Sequence, residues 1–299
     1  MPPHADRPGD LQSVEVFSSL GDENRLAIVG ALHEHDDATP MSFSTLYDHV
    51  DVDDTGRFNY HLSQLVPHFV AKREEGYGLT GAGRRLARAV AAGTFTDVPR
   101  LEPFAIDGRC YACGDDALEA SYDDEAFAIR CRHCDELVLD VHVPPTVVRG
   151  RSPSEVVDAF ERWSKLQVDQ ARHGICPDCG GAVESAVATD VASEIEFDAA
   201  PTFTCSVCGR RAVTSVGALA ARHPAVREFH DERGESLDDR RYWEIDQYVA
   251  GQHVEVRSRD PWLFCVSFYA AGDACHVEID GTLEVVRVEI AGGEGPSDV

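Results

Sequence analysis

Lysine is almost absent from this 299-residue sequence, which contains only Lys72 and Lys165. Long apolar runs are absent too: none approaches the ~20 residues that span a bilayer, and no cationic segment followed by an apolar stretch opens the chain. Motifs of several enzyme classes are also missing, among them a Gly-rich phosphate loop, a Gly-x-Ser-x-Gly elbow and a His-Glu-x-x-His pair. We therefore expect a cytoplasmic protein with no membrane partner that is not an enzyme.

Acidic residues outnumber basic ones by 53 to 27, which gives a net charge of −26. A heavily acidic, lysine-poor surface keeps proteins soluble in molar salt, so we expect the source to be a halophilic archaeon. The total charge argues against nucleic acid as a partner, because phosphate binding depends on cationic side chains. The local balance differs, since residues 54–90 carry six basic and three acidic side chains. Basic charge is therefore concentrated in one part of the chain.

Eight of the ten cysteines form four Cys-x-x-Cys pairs, arranged in two blocks of two pairs. Such a turn brings two thiolates to one tetrahedral ion, so each block has the ligand set of a structural zinc site. Because four thiolates leave no open coordination position, we expect two zinc ions that stabilise structure and take no part in catalysis. The predicted ligands are Cys110, Cys113, Cys131 and Cys134 in the first block and Cys176, Cys179, Cys205 and Cys208 in the second.

Short apolar segments flank both blocks and predict two zinc ribbons. The spacer between the two pairs is 17 residues long in the first block and 25 in the second, and the plan is otherwise repeated. In the second block, residues 194–197 and 202–204 are predicted strands that precede the second pair. Cys265 and Cys275 lie outside both blocks, and we expect them to be small buried side chains.

The first hundred residues predict a series of helices interrupted by one hairpin. Apolar residues at helical spacing indicate the helices, and polar residues such as Ser42 mark where they begin. The fourth helix, capped by Asp54 or Thr55, has an apolar face at positions i, i+4 and i+7. The predicted helices cover residues 11–20, 22–35, 42–50, 54–65 and 80–92, the hairpin strands cover 69–71 and 77–79, and the apolar face consists of Phe58, Leu62 and Leu65.

Two segments in this region carry a resemblance to a known family. Residues 20–26, Leu-Gly-Asp-Glu-Asn-Arg-Leu, and residues 59–65, Asn-Tyr-His-Leu-Ser-Gln-Leu, resemble the ArsR-type bacterial and archaeal transcription regulators. The resemblance covers about the first third of the chain, and the whole arrangement is similar to haloarchaeal members that add a cysteine-containing region. It implies a winged helix-turn-helix in which the fourth helix enters the major groove of DNA.

The resemblance also implies which residues contact DNA. Arg57 would hydrogen-bond to guanine, Asn59 or Gln64 would hydrogen-bond to adenine, and the hairpin would bind the phosphate backbone. Two alternatives stay open: these are ordinary exposed polar residues, or His61 packs beneath its helix as its family counterpart can. The implied DNA contacts are Thr55, Arg57, Asn59, Tyr60, His61, Gln64, Lys72, Arg73 and Tyr77.

The sequence departs from the metal-sensing members of that family. The third helix has no cysteine pair, and the last helix has no histidine or acidic residue, so we do not expect metal sensing by this region. Family members form dimers through the first and last helices, and the resemblance implies a homodimer on a two-fold operator. The apolar residues available for such a seam are Leu11, Val14, Phe17, Leu86 and Val90.

Beyond the first hundred residues, the sequence predicts helices and strands in alternation. A central helix at 152–173, with an apolar stripe of Val156, Phe160, Trp163 and Leu166, joins the two ribbons. After the second ribbon, helices at 217–229 and 237–248 precede an antiparallel meander, with Asp280 and Gly281 in a hairpin turn. The predicted meander strands cover 254–256, 262–269, 275–279 and 283–290.

The expected fold class is therefore α+β, with three domains. These are a winged helix-turn-helix at 10–95, a tandem zinc-ribbon region with four cysteines per ribbon at 103–216, and a helix pair plus β meander at 217–291. We expect a dimeric, sequence-specific DNA-binding transcription regulator whose partners are double-stranded DNA and the transcription machinery. The alternative is a basal transcription or RNA-handling factor, in which the winged helix accompanies zinc ribbons that bind polymerase.

Overall fold

The computed structural model of the chain describes residues 14, 16–35, 39–189, 198–249 and 252–293. These residues form a mixed α+β structure with four antiparallel sheets and two clusters of four cysteines. The chain divides into two compact units, Met1–Asp97 and Val98–Val299. Among the described residues, no helix combines the length and the apolar character that crossing a bilayer requires.

The first unit contains the predicted order of elements. Of the predicted first helix, residues 14 and 16–18 are helical, and residues 11–13 and 15 lie outside the described residues. The elements that follow are α1 (Glu23–Glu34), α2 (Phe43–Asp48), α3 (Thr55–Leu65), β1 (Val70–Arg73), β2 (Gly76–Leu79) and α4 (Gly81–Ala91).

Side-chain caps fix where these helices begin. Asp22 accepts a hydrogen bond from the backbone N–H of Asn24 at 2.9 Å, and Ser42 accepts one from Thr45 at 3.1 Å. Asp54 is the N-cap of α3, which decides between the two caps that the sequence left open. Each cap satisfies a backbone donor that has no partner inside the first helical turn.

The core of the first unit is built around α3. Phe58, Leu62 and Leu65 are all at most 1% exposed, as their spacing predicts. The ring of Phe58 meets those of Phe43 and Tyr47 edge to face, with centroids 5.2 Å apart in both cases. These contacts hold α3 against α2 and leave the opposite face of α3 uncovered within this unit.

The second unit contains two cysteine modules followed by a larger sheet. In the first cysteine module, strands β3 to β6 form an antiparallel sheet in sequence order; in the second, β7 to β9 do the same. The elements of this part are β3 (Leu101–Ala105), β4 (Leu118–Asp123), β5 (Ala126–Cys131), β6 (Leu137–His142), α5 (Pro145–Val148), α6 (Pro153–Arg172), β7 (Val183–Ala188), β8 (Ala200–Cys205) and β9 (Arg211–Val213).

The C-terminal part is a short helical region followed by the predicted meander. Its four strands pair in sequence order, and the hairpin turn predicted at Asp280 lies between the last two. The elements are α7 (Val216–Ala220), α8 (Pro224–Asp231), two 3-10 turns (Leu237–Asp239 and Tyr242–Glu244), α9 (Asp246–Val249), β10 (Val254–Arg259), β11 (Trp262–Ala270), β12 (Asp273–Asp280) and β13 (Val285–Ala291).

Two hydrophobic cores hold the second unit together. One core lies in the first cysteine module and includes Trp243 from the C-terminal part. The other contains Phe203 of the second cysteine module together with Phe264 and Phe268 of the C-terminal sheet. The domain boundary predicted between residues 216 and 217 therefore falls inside a shared core.

The structure corrects two predicted helices. The helix predicted at 217–229 is two helices, α7 and α8, because Pro224 cannot donate a backbone hydrogen bond to the preceding turn. The helix predicted at 237–248 is three short turns. Trp243 enters the core of the first cysteine module, whereas Ile245 and Tyr248 enter the other core. Two separate packing partners thus replace the single face that a continuous helix would bury.

Helix α6 buries a different stripe from the one predicted. Val156 and Phe160 are fully buried as expected, but the prediction for Leu166 is wrong, since this side chain is 66% exposed. Glu161 lies on the buried face, where it accepts hydrogen bonds from Lys165 and Arg241, both at 3.0 Å. Strand β7 was not predicted, and the strand predicted at 194–197 lies outside the described residues.

Candidate metal centres and candidate nucleic-acid interface

The first cysteine cluster gathers four thiols from two turns. Cys110 and Cys113 lie between β3 and β4, and Cys131 and Cys134 lie where β5 ends. All four sulfur atoms are within 4.8 Å of one another. The Sγ atoms of Cys110 and Cys134, and those of Cys113 and Cys131, are each 3.7 Å apart.

The second cluster has the same construction. Cys176 and Cys179 precede β7, and Cys205 and Cys208 lie where β8 ends. The sulfur distances are 3.7 Å between Cys176 and Cys208 and 3.5 Å between Cys179 and Cys205. In both clusters the first cysteine of each pair is buried and the second is exposed.

One backbone pattern recurs in all four Cys-x-x-Cys turns. The carbonyl of the first cysteine accepts a hydrogen bond from the residue four positions later, at 2.8 to 3.1 Å. That residue has a positive φ in every case, and it is Gly114, Asp135, Gly180 or Gly209. Asp135 adopts φ +62°, a conformation that aspartate tolerates better than most side chains. The predicted internal repeat therefore extends to the hydrogen bonds of the turns.

The sulfur distances fit a tetrahedral metal ion. A Zn–S bond of about 2.3 Å in tetrahedral geometry separates the sulfur atoms by about 3.8 Å. The observed 3.5 to 3.7 Å is close to this value. The backbone N–H groups of Cys208 and Val207 point at the thiol of Cys205 and lower its pKa to about 6, which favours the metal-binding thiolate. Each cluster can therefore hold one metal ion.

The other two cysteines are buried as predicted. Cys265 is 3% exposed and Cys275 is fully buried, both within the C-terminal sheet. Burial raises the pKa of Cys275 to about 11, so this thiol stays protonated at neutral pH. Neither residue belongs to a metal-binding cluster among the described residues.

Most of the predicted DNA contacts lie on the outer face of α3 or on the hairpin. The side chains on α3 at Thr55, Arg57, Asn59, Tyr60 and Gln64 are exposed. On the hairpin, Lys72 and Arg73 are exposed, whereas Tyr77 is half-buried, with its ring centroid 6.5 Å from that of Phe43. The structure thus brings one arginine, two amides and a tyrosine onto one helix surface.

His61 does not lie on that surface, and the prediction that it faces DNA is wrong. It is 5% exposed, and its Nδ1 atom lies 3.5 Å from the Oδ1 atom of Asp22, the N-cap of α1. The reason was present in the spacing, since His61 follows Phe58 by three residues and precedes Leu65 by four, which places it on the buried stripe. His61 therefore packs beneath α3, the alternative that the sequence left open.

The apolar residues proposed for a dimer seam are partly at the surface. Val14 is 69% exposed, Phe17 is 70% exposed and Val90 is 46% exposed, while Leu86 is half-buried. Leu11 lies outside the described residues. An exposed group of large apolar side chains is typical of a protein interface, and the homodimer stays a prediction.

The sequence analysis missed an ion-paired group in the second unit. The Nη1 atom of Arg241 donates to Asp158 at 2.6 Å and to Glu161 at 3.0 Å. Asp158 and Glu161 lie 83 and 80 positions before Arg241, so no local sequence pattern predicts the contact. The group neutralises the carboxylate of Glu161, which is 7% exposed.

Comparison with known proteins gave matches to two family models. Residues 13–90 match the family described as Domain of unknown function (DUF7347), and residues 107–285 match the family described as Domain of unknown function (DUF7351). No curated protein matches the chain, and no solved structure matches it. Both cysteine clusters and most of the C-terminal sheet fall within the second match, which spans more than half of the chain. The chain therefore belongs to the DUF7351 family.

Proposed function

We propose that this protein is a sequence-specific DNA-binding transcription regulator of the ArsR-like kind, acting as a homodimer. One observation carries the proposal. Helix α3 buries Phe58, Leu62 and Leu65 completely, while Arg57, Tyr60 and Gln64 form an exposed stripe on its other side. A helix with a fixed inner face and a polar outer face suits insertion into the major groove.

The first unit is a winged helix-turn-helix in this proposal. Supporting it, α2 and α3 are joined by a short turn, and a hairpin follows α3. Met41, just before α2, exchanges backbone hydrogen bonds with Tyr77 of the hairpin, both at 2.8 Å. These bonds fix the hairpin next to the helix pair, as a wing that contacts DNA must be.

The exposed residues of α3 and of the hairpin have different roles in recognising DNA. Arg57 donates two hydrogen bonds to a guanine edge, and Asn59 or Gln64 pairs with adenine. Lys72 and Arg73 on the hairpin bind phosphates and set the register, without reading sequence. His61 contacts no base and instead supports α3 from below, near Asp22.

The two cysteine clusters are structural zinc sites within zinc ribbons in this proposal. Each cluster supplies four thiol ligands, which fill a tetrahedral ion and leave no position for substrate. The residues that hold the ions are Cys110, Cys113, Cys131 and Cys134 in one ribbon and Cys176, Cys179, Cys205 and Cys208 in the other. Neither ion has a catalytic role.

Selection of bound fragments from a random DNA library, followed by footprinting in molar KCl, tests the proposal. We expect the full chain to enrich one two-fold symmetric sequence and to protect it. The matched control is the double variant Arg57→Ala, Gln64→Ala, which keeps the buried face of α3 and loses the enrichment. Equal binding to all sequences by the wild type would reject the regulator and favour the basal transcription factor.

A further inference from the structure

Strand β13 lies at one edge of the C-terminal sheet. The strands of that sheet follow the order β10-β11-β12-β13, so β13 pairs with β12 on one side. Within the part of the chain that the structure describes, no strand pairs with its other side. The strand from Val285 to Ala291 therefore presents backbone N–H and C=O groups to which a further strand can bind.

The free edge of β13 carries exposed apolar side chains. Val286 is 54% exposed and Ile290 is 52% exposed. Among the described strands, Val213 of β9 is the only other large apolar residue with an exposed side chain. In the first cysteine module, the edge strand β3 contains Pro103, which cannot donate a backbone hydrogen bond to an added strand. Strand β13 has no proline, so its edge is open to pairing.

Two opposite charges lie between the apolar residues of β13. The Nη2 atom of Arg287 donates to the Oε2 atom of Glu289 at 2.7 Å, and both side chains are exposed. Val288, between them, points to the opposite face of the sheet and packs against the hydrophobic core. Residues 286–290 therefore run apolar, basic, apolar, acidic, apolar.

This order is complementary to itself when two copies of β13 run antiparallel. With Val288 opposite the partner's Val288, Val286 lies opposite the partner's Ile290, and Arg287 lies opposite the partner's Glu289. Apolar side chains then meet apolar ones, and each charge meets its opposite, as stable cross-strand pairs require. Moving the centre by one residue places Arg287 opposite a second Arg287, or Glu289 opposite a second Glu289. Like charges disfavour both of those registers.

We infer that β13 is a homodimer contact, at which two C-terminal sheets join across a two-fold axis into one antiparallel sheet. A two-fold contact uses the same surface of both copies, so that surface must be complementary to itself, as residues 286–290 are. This contact is separate from the dimer seam proposed for the first unit, and it does not depend on DNA binding. One strand pair buries less than the about 1,200 Å² of a standard interface, so we expect a dissociation constant on the order of 1–100 µM.

Sedimentation velocity of the full chain in molar KCl tests this contact. The background is the double variant Phe17→Glu, Val90→Glu, which removes apolar side chains from the seam of the first unit. We expect this background chain to form dimers. Adding Val286→Lys and Ile290→Lys should leave it monomeric, because lysine on an edge strand opposes pairing. The matched control adds Val213→Lys, on the edge strand β9, and should keep the dimers.

Two further measurements complete the test. Far-ultraviolet circular dichroism verifies that every variant is folded. A photo-cross-linker then determines the register: p-benzoylphenylalanine in place of Ile290 should join two chains covalently on illumination. Mass spectrometry should place the link at or next to the partner's Val286. The same group in place of Val213 should give no covalent dimer.

Three results would overturn the inference. One is a background variant that stays monomeric at about ten times the upper limit of the expected dissociation constant. Another is a dimer that Val286→Lys and Ile290→Lys leave as intact as Val213→Lys does. The third is a cross-link from position 290 that maps outside β13 of the partner. Dimers that form through β13 while the DNA selection fails would reject only the proposed regulator.

Discussion

Trp243 donates its indole N–H to the backbone carbonyl of Asp107 at 2.9 Å, although the two residues are 136 positions apart. The side chain of Trp243 is 1% exposed and belongs to the core of the first cysteine module. Gly108, the residue after Asp107, has φ +124°, and a Cβ atom there would lie 2.6 Å from the Nε1 atom of Trp243. The chain thus returns, after the second cysteine module, to close the core of the first.

Replacement of Trp243 measures how much this closure stabilises the unit. Trp243→Phe removes the indole hydrogen bond, leaves the carbonyl of Asp107 without that donor and creates a small void. We expect the free energy of unfolding to fall by about 2 kcal/mol. Guanidinium denaturation in high KCl measures the change. Trp262→Phe, at a half-buried position where the ring stacks on Phe264, is the control. An equal loss of unfolding free energy in this control would show that the contact of Trp243 with Asp107 adds no stability of its own.

Metal content tests the two cysteine clusters separately. The purified chain should carry two zinc ions, one for each cluster. Cys110→Ser should reduce this to one and lower the thermal stability, because structural zinc binding contributes directly to folding. Cys265→Ser, outside both clusters, should retain two ions. Elemental analysis gives the counts, and an unchanged zinc content in Cys110→Ser would contradict the assignment.

Substitutions on α3 and on the hairpin should have different consequences for DNA binding. Arg57→Ala and Gln64→Ala remove the side chains proposed to contact bases, so each should cost about 1–3 kcal/mol on the selected sequence and much less on others. Arg73→Ala removes a side chain proposed to contact phosphate and should weaken binding to all sequences about equally. Fluorescence anisotropy with selected and scrambled duplexes measures both effects. Identical losses from all three variants would mean that α3 is not the reading helix.

The charge of the chain predicts how the proposed DNA binding should depend on salt. The net charge is −26, and at molar salt the Debye length is about 3 Å, so long-range attraction to phosphates is largely screened. We therefore expect specificity to depend on short-range base contacts, and affinity to change little, or even to rise, between moderate and molar KCl. A steep fall in affinity over that range would count against this prediction.

The hairpin at Asp280 should give the stability a specific pH dependence. The hydroxyl of Thr282 donates to Asp280 at 2.6 Å and, with two backbone N–H groups, lowers the pKa of this carboxyl below its ordinary 3.8. A depressed pKa means that the folded state favours the ionised form. The stabilisation is therefore present above pH 3.8 and is lost as the pH falls through the folded-state pKa.

A comparison of variants isolates this contribution. The difference in unfolding free energy between wild type and Asp280→Asn should be constant near neutral pH and should shrink as the pH falls below about 4. Thr282→Val removes the hydroxyl but keeps the side-chain shape. The difference in unfolding free energy between wild type and this variant should change less with pH than the difference for Asp280→Asn. Urea denaturation across this pH range provides the values. A difference that persists unchanged at the acid end would exclude the mechanism.

Local spacing explains what could be predicted. A Cys-x-x-Cys turn brings its two thiols together whatever the rest of the chain does, so the eight clustered cysteines could be predicted as ligands. Phe58, Leu62 and Leu65 recur at the helical period, so the inner face of α3 could be predicted too. The same period could have shown that His61 is buried, since it lies on the stripe that these residues define.

The amino-acid order alone therefore determined the pairing of the cysteines in Cys-x-x-Cys turns, the buried face of α3 and the strands of the meander, because each depends on residues a few positions apart. Tertiary structure decided the exposure of Leu166, the division of the region 237–248 between two cores, and the pairing of Arg241 with Asp158 and Glu161. Those features depend on which distant segments pack together. The spacing of apolar residues along one segment does not predict such contacts, because packing depends on the whole folded unit.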